Sequence, residues 1–159
     1  MTQAATSRTQ SVAGNDFAQA YFSGVGQLEA SRRFTAEQLE VIYAMGYADM
    51  NQRKWDSALR IFSFLALYGA TRRHYLAGLA TCLQMLGRWD EAIDIWSLIL
   101  TLFDDSLEPM LQIVYCYLSA GRRELAVTRL QQLDQALGAQ DALKLRVTAL
   151  LEQLETAGK

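Results

Sequence analysis

The chain has 159 residues, 51% of them hydrophobic, one proline and a formal net charge of −2. That length suits a single domain with an ample core, and the shortage of alternating β-branched runs argues against a β fold. The charge gives nucleic acid or an anionic membrane surface no electrostatic footing, and no apolar run approaches the ~18 residues of a membrane span. Met1 to Asn15 lacks an apolar signal core, so a cytoplasmic, soluble, all-α protein is expected.

In chain order, residues 1–14 are small and polar and read as a mobile tail. Asn15 or Asp16 can cap a helix over 15–30, in which Phe17, Tyr21, Val25 and Leu28 share a face with Phe22 beside them. This stripe suits either a cap packed on the neighbouring helices or a dimerisation helix. Thr35-Ala36-Glu37-Gln38 is a capping box that starts a helix running to about Met50. The next helices are expected over Asp56–Tyr68, His74–Leu86 and Asp90–Phe103, with Gly87 as a stop. Asp104-Asp105-Ser106 offers caps for a helix with Pro109 in its first turn. Gly121 ends that helix, and another comes over Glu124–Leu137. After Gly138, Asp141 caps a last helix with Leu143, Val147, Leu150 and Leu154 along one face.

A constant 34-residue period runs through these elements. Trp55-Asp56-Ser57-Ala58-Leu59 returns as Trp89-Asp90-Glu91-Ala92-Ile93 and as Arg123-Glu124-Leu125-Ala126-Val127. Four residues after each alanine stands a large apolar side chain: Phe62, Trp96 and Leu130. This is the signature of tetratricopeptide repeats, in which helix A and helix B pair around a small residue. The expected architecture is therefore a helical solenoid. Three repeats (39–72, 73–106 and 107–140) lie between an N-terminal helix and a capping helix over 141–156, forming one domain over 15–156. The A-helix small pair reads Met45-Gly46, then Leu79-Ala80, then Ile113-Val114. The last pair is bulky and is expected to weaken repeat three.

Few residues could carry chemistry. His74 is the sole histidine and is expected to be a solvated or capping side chain at a helix start. Cys82 and Cys116 occupy one repeat position, held by Ala48 in repeat one. Stacked repeats would hold them beyond the ~7 Å Cα reach of a disulfide, so both read as buried, inert thiols. No phosphate loop, nucleophile elbow or metal-ligand pairing is visible. No enzyme, cofactor or metal is expected.

What remains is the concave surface lined by the A helices. Its second, fifth, ninth and twelfth repeat positions are Glu40, Tyr43, Tyr47 and Met50, then His74, Ala77, Thr81 and Gln84, then Glu108, Leu111, Tyr115 and Leu118. A groove rich in tyrosine, methionine and leucine suits capture of an apolar peptide. Clamping a C-terminal carboxylate would need Lys, Arg and Asn where Tyr43 and Tyr47 stand.

Three segments then carry a more specific likeness: Leu39-Glu40-Val41-Ile42-Tyr43, Arg53-Lys54-Trp55-Asp56-Ser57-Ala58, and Gly78-Leu79-Ala80-Thr81-Cys82 through Gly87-Arg88-Trp89-Asp90-Glu91-Ala92. Over roughly residues 17–133 the chain resembles the class II type III secretion chaperones, which serve hydrophobic translocator proteins of bacterial injection systems. It departs at Arg53, where that family has glycine. The resemblance implies a groove, with Tyr43 and Tyr47 among its aromatics, holding an extended N-terminal segment of a translocator. It also implies a homodimer through the helix bearing Phe17, Tyr21, Phe22, Val25 and Leu28. Two further readings stay open: a chaperone of needle or filament subunits, and a scaffold in a secretion assembly.

Overall fold

A computed structural model describes residues 33–69 and 72–156. Among them are seven helices and no strand: α1 (Ala36–Asn51), α2 (Trp55–Tyr68), α3 (Arg73–Met85), α4 (Trp89–Leu102), α5 (Glu108–Ser119), α6 (Arg123–Ala136) and α7 (Ala142–Thr156). Each packs mainly on the helix before it and the helix after it, the nearest-neighbour arrangement of a solenoid. The expected tail and N-terminal helix, with Phe17, Tyr21, Phe22, Val25 and Leu28, lie outside the described residues.

Local chemistry fixes the helix ends. The Thr35 hydroxyl accepts from the Gln38 amide at 3.2 Å, and the Gln38 side chain accepts from the Thr35 amide at 2.9 Å. The Asp141 carboxylate accepts from the Leu143 amide at 2.9 Å and starts α7. Between A and B helices the chain turns through a left-handed residue. Gly87 and Gly121 both sit at φ 74°, and Arg53 holds the same place in repeat one at φ 57°. The turns close identically: Lys54 N–H donates to Asp49 C=O at 2.9 Å, Arg88 to Leu83 at 2.9 Å and Arg122 to Tyr117 at 2.8 Å. A Cβ in this conformation costs ~1–2 kcal/mol, which the two glycines avoid and Arg53 does not.

Packing between the helices of a repeat obeys a volume exchange. Ala58, Ala92 and Ala126 are fully buried. Gly46 faces Phe62 in repeat one, where an added Cβ would meet Ile61 at 2.9 Å and the Phe62 ring at 3.1 Å. Ala80 shares a core cluster with Trp96, and Val114 shares one with Leu130. The bulky Ile113-Val114 pair is buried, and the ring slot shrinks to leucine in that repeat. Phe62 also presses on the next repeat: a Cβ added to Gly78 of α3 would run into its ring. At the far end, Val147 of α7 is buried, and Leu143, Leu150 and Leu154 pack beside it over α5 and α6, sealing the third repeat. Cys82 and Cys116 are free and fully buried, and burial pushes both thiols up to about 11.

A candidate peptide-binding groove

The A helices α1, α3 and α5 carry the groove positions, and most of those side chains are partly exposed. Repeat one supplies the aromatic part. Tyr43 stacks on Tyr47 at 6.2 Å and meets the edges of Phe62 at 5.8 Å and His74 at 4.8 Å. Tyr47, four residues on, is 52% exposed, so this ring is presented to solvent. Burial raises the Tyr43 phenol pKa, and the neighbouring Tyr47 and Glu40 add to that. At neutral pH it is an uncharged hydrogen-bonding ring.

Glu40 ties repeat one to repeat two. One carboxylate oxygen accepts from the Tyr75 hydroxyl at 2.8 Å and from Arg72 Nη1 at 2.9 Å, and His74 Nε2 lies 3.1 Å away. The Tyr75 hydrogen bond is the main reason the Glu40 carboxyl lies below its usual range, with His74 and Arg72 adding to it. Burial, helped by Glu40, pushes the Tyr75 phenol up to about 12. His74, at the helix start expected from sequence and with its side chain 42% exposed, also makes a cross-repeat contact with Tyr43 and Tyr75, its ring 4.4 Å from the latter. Arg72 and Tyr75 occupy no groove position of the repeat pattern, and sequence reasoning misses them. The available signal is their spacing of 32 and 35 residues from an acidic residue at the groove edge.

The other repeats present less. The Thr81 hydroxyl donates to the Ala77 carbonyl at 2.8 Å, and Gln84 accepts from Trp96 Nε1 at 3.3 Å. Met50 and Leu118 are partly exposed. Glu108 pairs with Arg146 of α7 at 3.2 Å. Tyr115 first and Glu108 second hold the Arg146 guanidinium pKa above its usual value. Leu111 corrects the sequence reading: it is fully buried in the cluster with Val114, Leu130 and Val147. Val147 of α7 belongs to that same cluster and Arg146 of α7 pairs with Glu108, packing that the positional rule does not anticipate. Among the described residues no group of three or more His, Cys, Asp or Glu could hold a metal ion. No described helix is long and apolar enough to cross a membrane.

Helix pairs and left-handed turns recurring at a 34-residue spacing give the described residues a tetratricopeptide-repeat-like solenoid with a partly exposed face along its A helices. The tetratricopeptide repeat profile itself matches residues 78–106. Among known proteins the chain is similar to the chaperone protein SicA of Salmonella typhimurium, 26% identical over 121 residues that span 76% of this chain and 73% of the relative. It also superposes on PcrH in complex with the chaperone binding region of PopD, with a TM-score of 0.68 and 26% identity, covering 80% of this chain and 98% of PcrH. The Yersinia enterocolitica type III secretion chaperone SycD, in complex with a peptide of the translocator YopD, shares the fold at a TM-score of 0.69 and 20% identity, covering 80% of this chain and 99% of SycD. The likeness is therefore one of sequence and fold alike: the chain resembles the tetratricopeptide-repeat chaperones of type III secretion.

Proposed function

We propose that this chain is a type III secretion chaperone. In the cytoplasm it holds an extended apolar segment of a secreted translocator in its groove, keeping that client soluble and ready for export without catalysis. The observation that carries this reading is the pair Tyr43 and Tyr47, a stacked aromatic surface braced from behind by Phe62, His74 and Tyr75 and left open to solvent at Tyr47. A rigid ring costs little entropy to bury, and a preorganised surface gives up little on binding. The relatives support the choice of client, because PcrH is seen with the chaperone binding regions of PopD and of PopB.

The test is an affinity capture of tagged protein from its source bacterium, with bound proteins identified by mass spectrometry. A secreted protein with long apolar segments is the expected partner. A small helical filament subunit, or membrane-base components in fixed ratio, would overturn the reading in favour of a filament chaperone or a scaffold. Tyr47→Ala should weaken the client by roughly ten- to a hundred-fold, since burying one large apolar side chain is worth ~1.5–3 kcal/mol. Titration calorimetry measures this, and circular dichroism should show unchanged helicity.

A further inference from the structure

Between α3, α4 and α5 lies a cavity of about 290 Å³, lined by Arg73, Ala77, Trp96, Ile99, Ser106, Glu108, Pro109 and Gln112. Its walls are mostly apolar, and Ala77 and Glu108 are groove positions. Moving 34 residues back along the sequence turns this lining into the surroundings of Tyr43. Trp96 becomes Phe62, Glu108 becomes His74 and Pro109 becomes Tyr75, and these are three of the four rings that the Tyr43 ring touches, the fourth being Tyr47 of its own helix. Ala77 itself becomes Tyr43. Moving 34 residues forward turns Ala77 into Leu111, which is fully buried. The repeat thus has one seat between consecutive A helices. The chain fills it with tyrosine in repeat one and with leucine in repeat three, and leaves it open in repeat two.

We infer that the seat beside Ala77 takes an aromatic side chain from the bound peptide, placed as Tyr43 is placed one repeat earlier. The inference rests on the groove reading and names the side chain that groove selects. Two observations favour a ring on an extended peptide. The equivalent seat already holds a ring among the same wall positions. At its rim, the buried Nε of Arg73 has no hydrogen-bond partner among the described residues, and an extended peptide carries main-chain carbonyls that can accept from it. The remainder of that guanidinium is engaged: it pairs with Asp105 and lies 4.9 Å over the Phe103 ring. Ala77 is on this account a specificity-determining residue of the groove, because it stands where Tyr43 and Leu111 fill the equivalent seats.

The probe is p-cresol, the side chain of tyrosine, titrated into the full chain and monitored by the Trp96 indole N–H and Ala77 methyl NMR signals. Saturable shifts of the Trp96 signal are expected in the wild type and should weaken at least ten-fold in Ala77→Leu, which copies the filling found at Leu111. The same variant should melt at a higher temperature, because it fills a cavity. Absence of saturable shifts, or equal binding by Ala77→Leu, overturns the inference. The result does not depend on what the affinity capture recovers. A translocator captured equally by wild type and Ala77→Leu would leave the groove reading standing and remove the seat. Saturable p-cresol binding without a captured translocator would keep the seat and remove the client.

Discussion

The junction between repeats one and two and the junction between repeats two and three are written in the same 34-residue pattern, and they are finished differently. In the first, a ring fills the seat between A helices, a glycine lets Phe62 touch the next A helix, and Glu40 gathers three polar partners. In the second, alanine stands for the ring, Gln112 for the glycine and Glu108 for His74, and a cavity results. Packing density is a property of interiors that proteins keep high. The open seat at one of two equivalent places is the one the inferred aromatic side chain of a bound peptide would fill.

The largest test of this contrast compares equivalent positions. Gly78→Ala drives a methyl into the Phe62 ring and should cost about 3 kcal/mol in urea unfolding, at the upper end for overpacking. Gln112→Ala, one repeat later at the cavity edge, should cost under about 1 kcal/mol, in the range of peripheral substitutions. Equal effects would mean that the two junctions are packed alike.

Next in size is the alkaline limb. Cys82 packs in the core of repeat one and Cys116 in the core of repeat two, and both thiols are raised to about 11 from an ordinary 9.0 by burial alone. A thiol whose folded value lies above its unfolded value favours the fold while protonated. Its contribution is whole below about pH 9 and is lost as pH climbs through about 11. At ~1.4 kcal/mol per unit, each thiol should remove roughly 2–3 kcal/mol across that window. Denaturant melts from pH 8 to 11 should show the loss, and Cys82→Ala or Cys116→Ala should each flatten it by a similar amount. A larger share for one of them would show which core excludes water better.

The smallest effect concerns the turns. Arg53→Gly should stabilise repeat one by about 0.5–1 kcal/mol, since relief of left-handed strain outweighs the extra freedom glycine brings to the unfolded chain. Gly87→Arg, the reverse change in repeat two, should cost about as much or more. Thermal melts of both variants decide the sign.

Much of this is legible in the sequence because its punctuation is strong. The Thr35 box, Gly87, Gly121 and Asp141 set helix ends to within a residue or two, and the alanine period sets the pairing of the helices. Groove positions are legible only as directions from a helix axis. Such a rule finds Tyr43 and Tyr47, but it cannot see that Leu111 is buried in the cluster that Val147 of α7 joins, nor that Ala77 matters for the space beside it. It also misses Tyr75 and Arg72, which reach the groove edge from outside the pattern to meet Glu40.

The double contact of Phe62, with Gly46 behind it and Gly78 ahead, bears on how such an array could be cut and rejoined. A graft made at the nominal repeat boundary would separate that ring from the glycine that receives it, and a foreign second repeat with a larger residue at that site would not seat. The transferable module therefore runs from the middle of one repeat to the middle of the next, carrying the ring and its receiving glycine together.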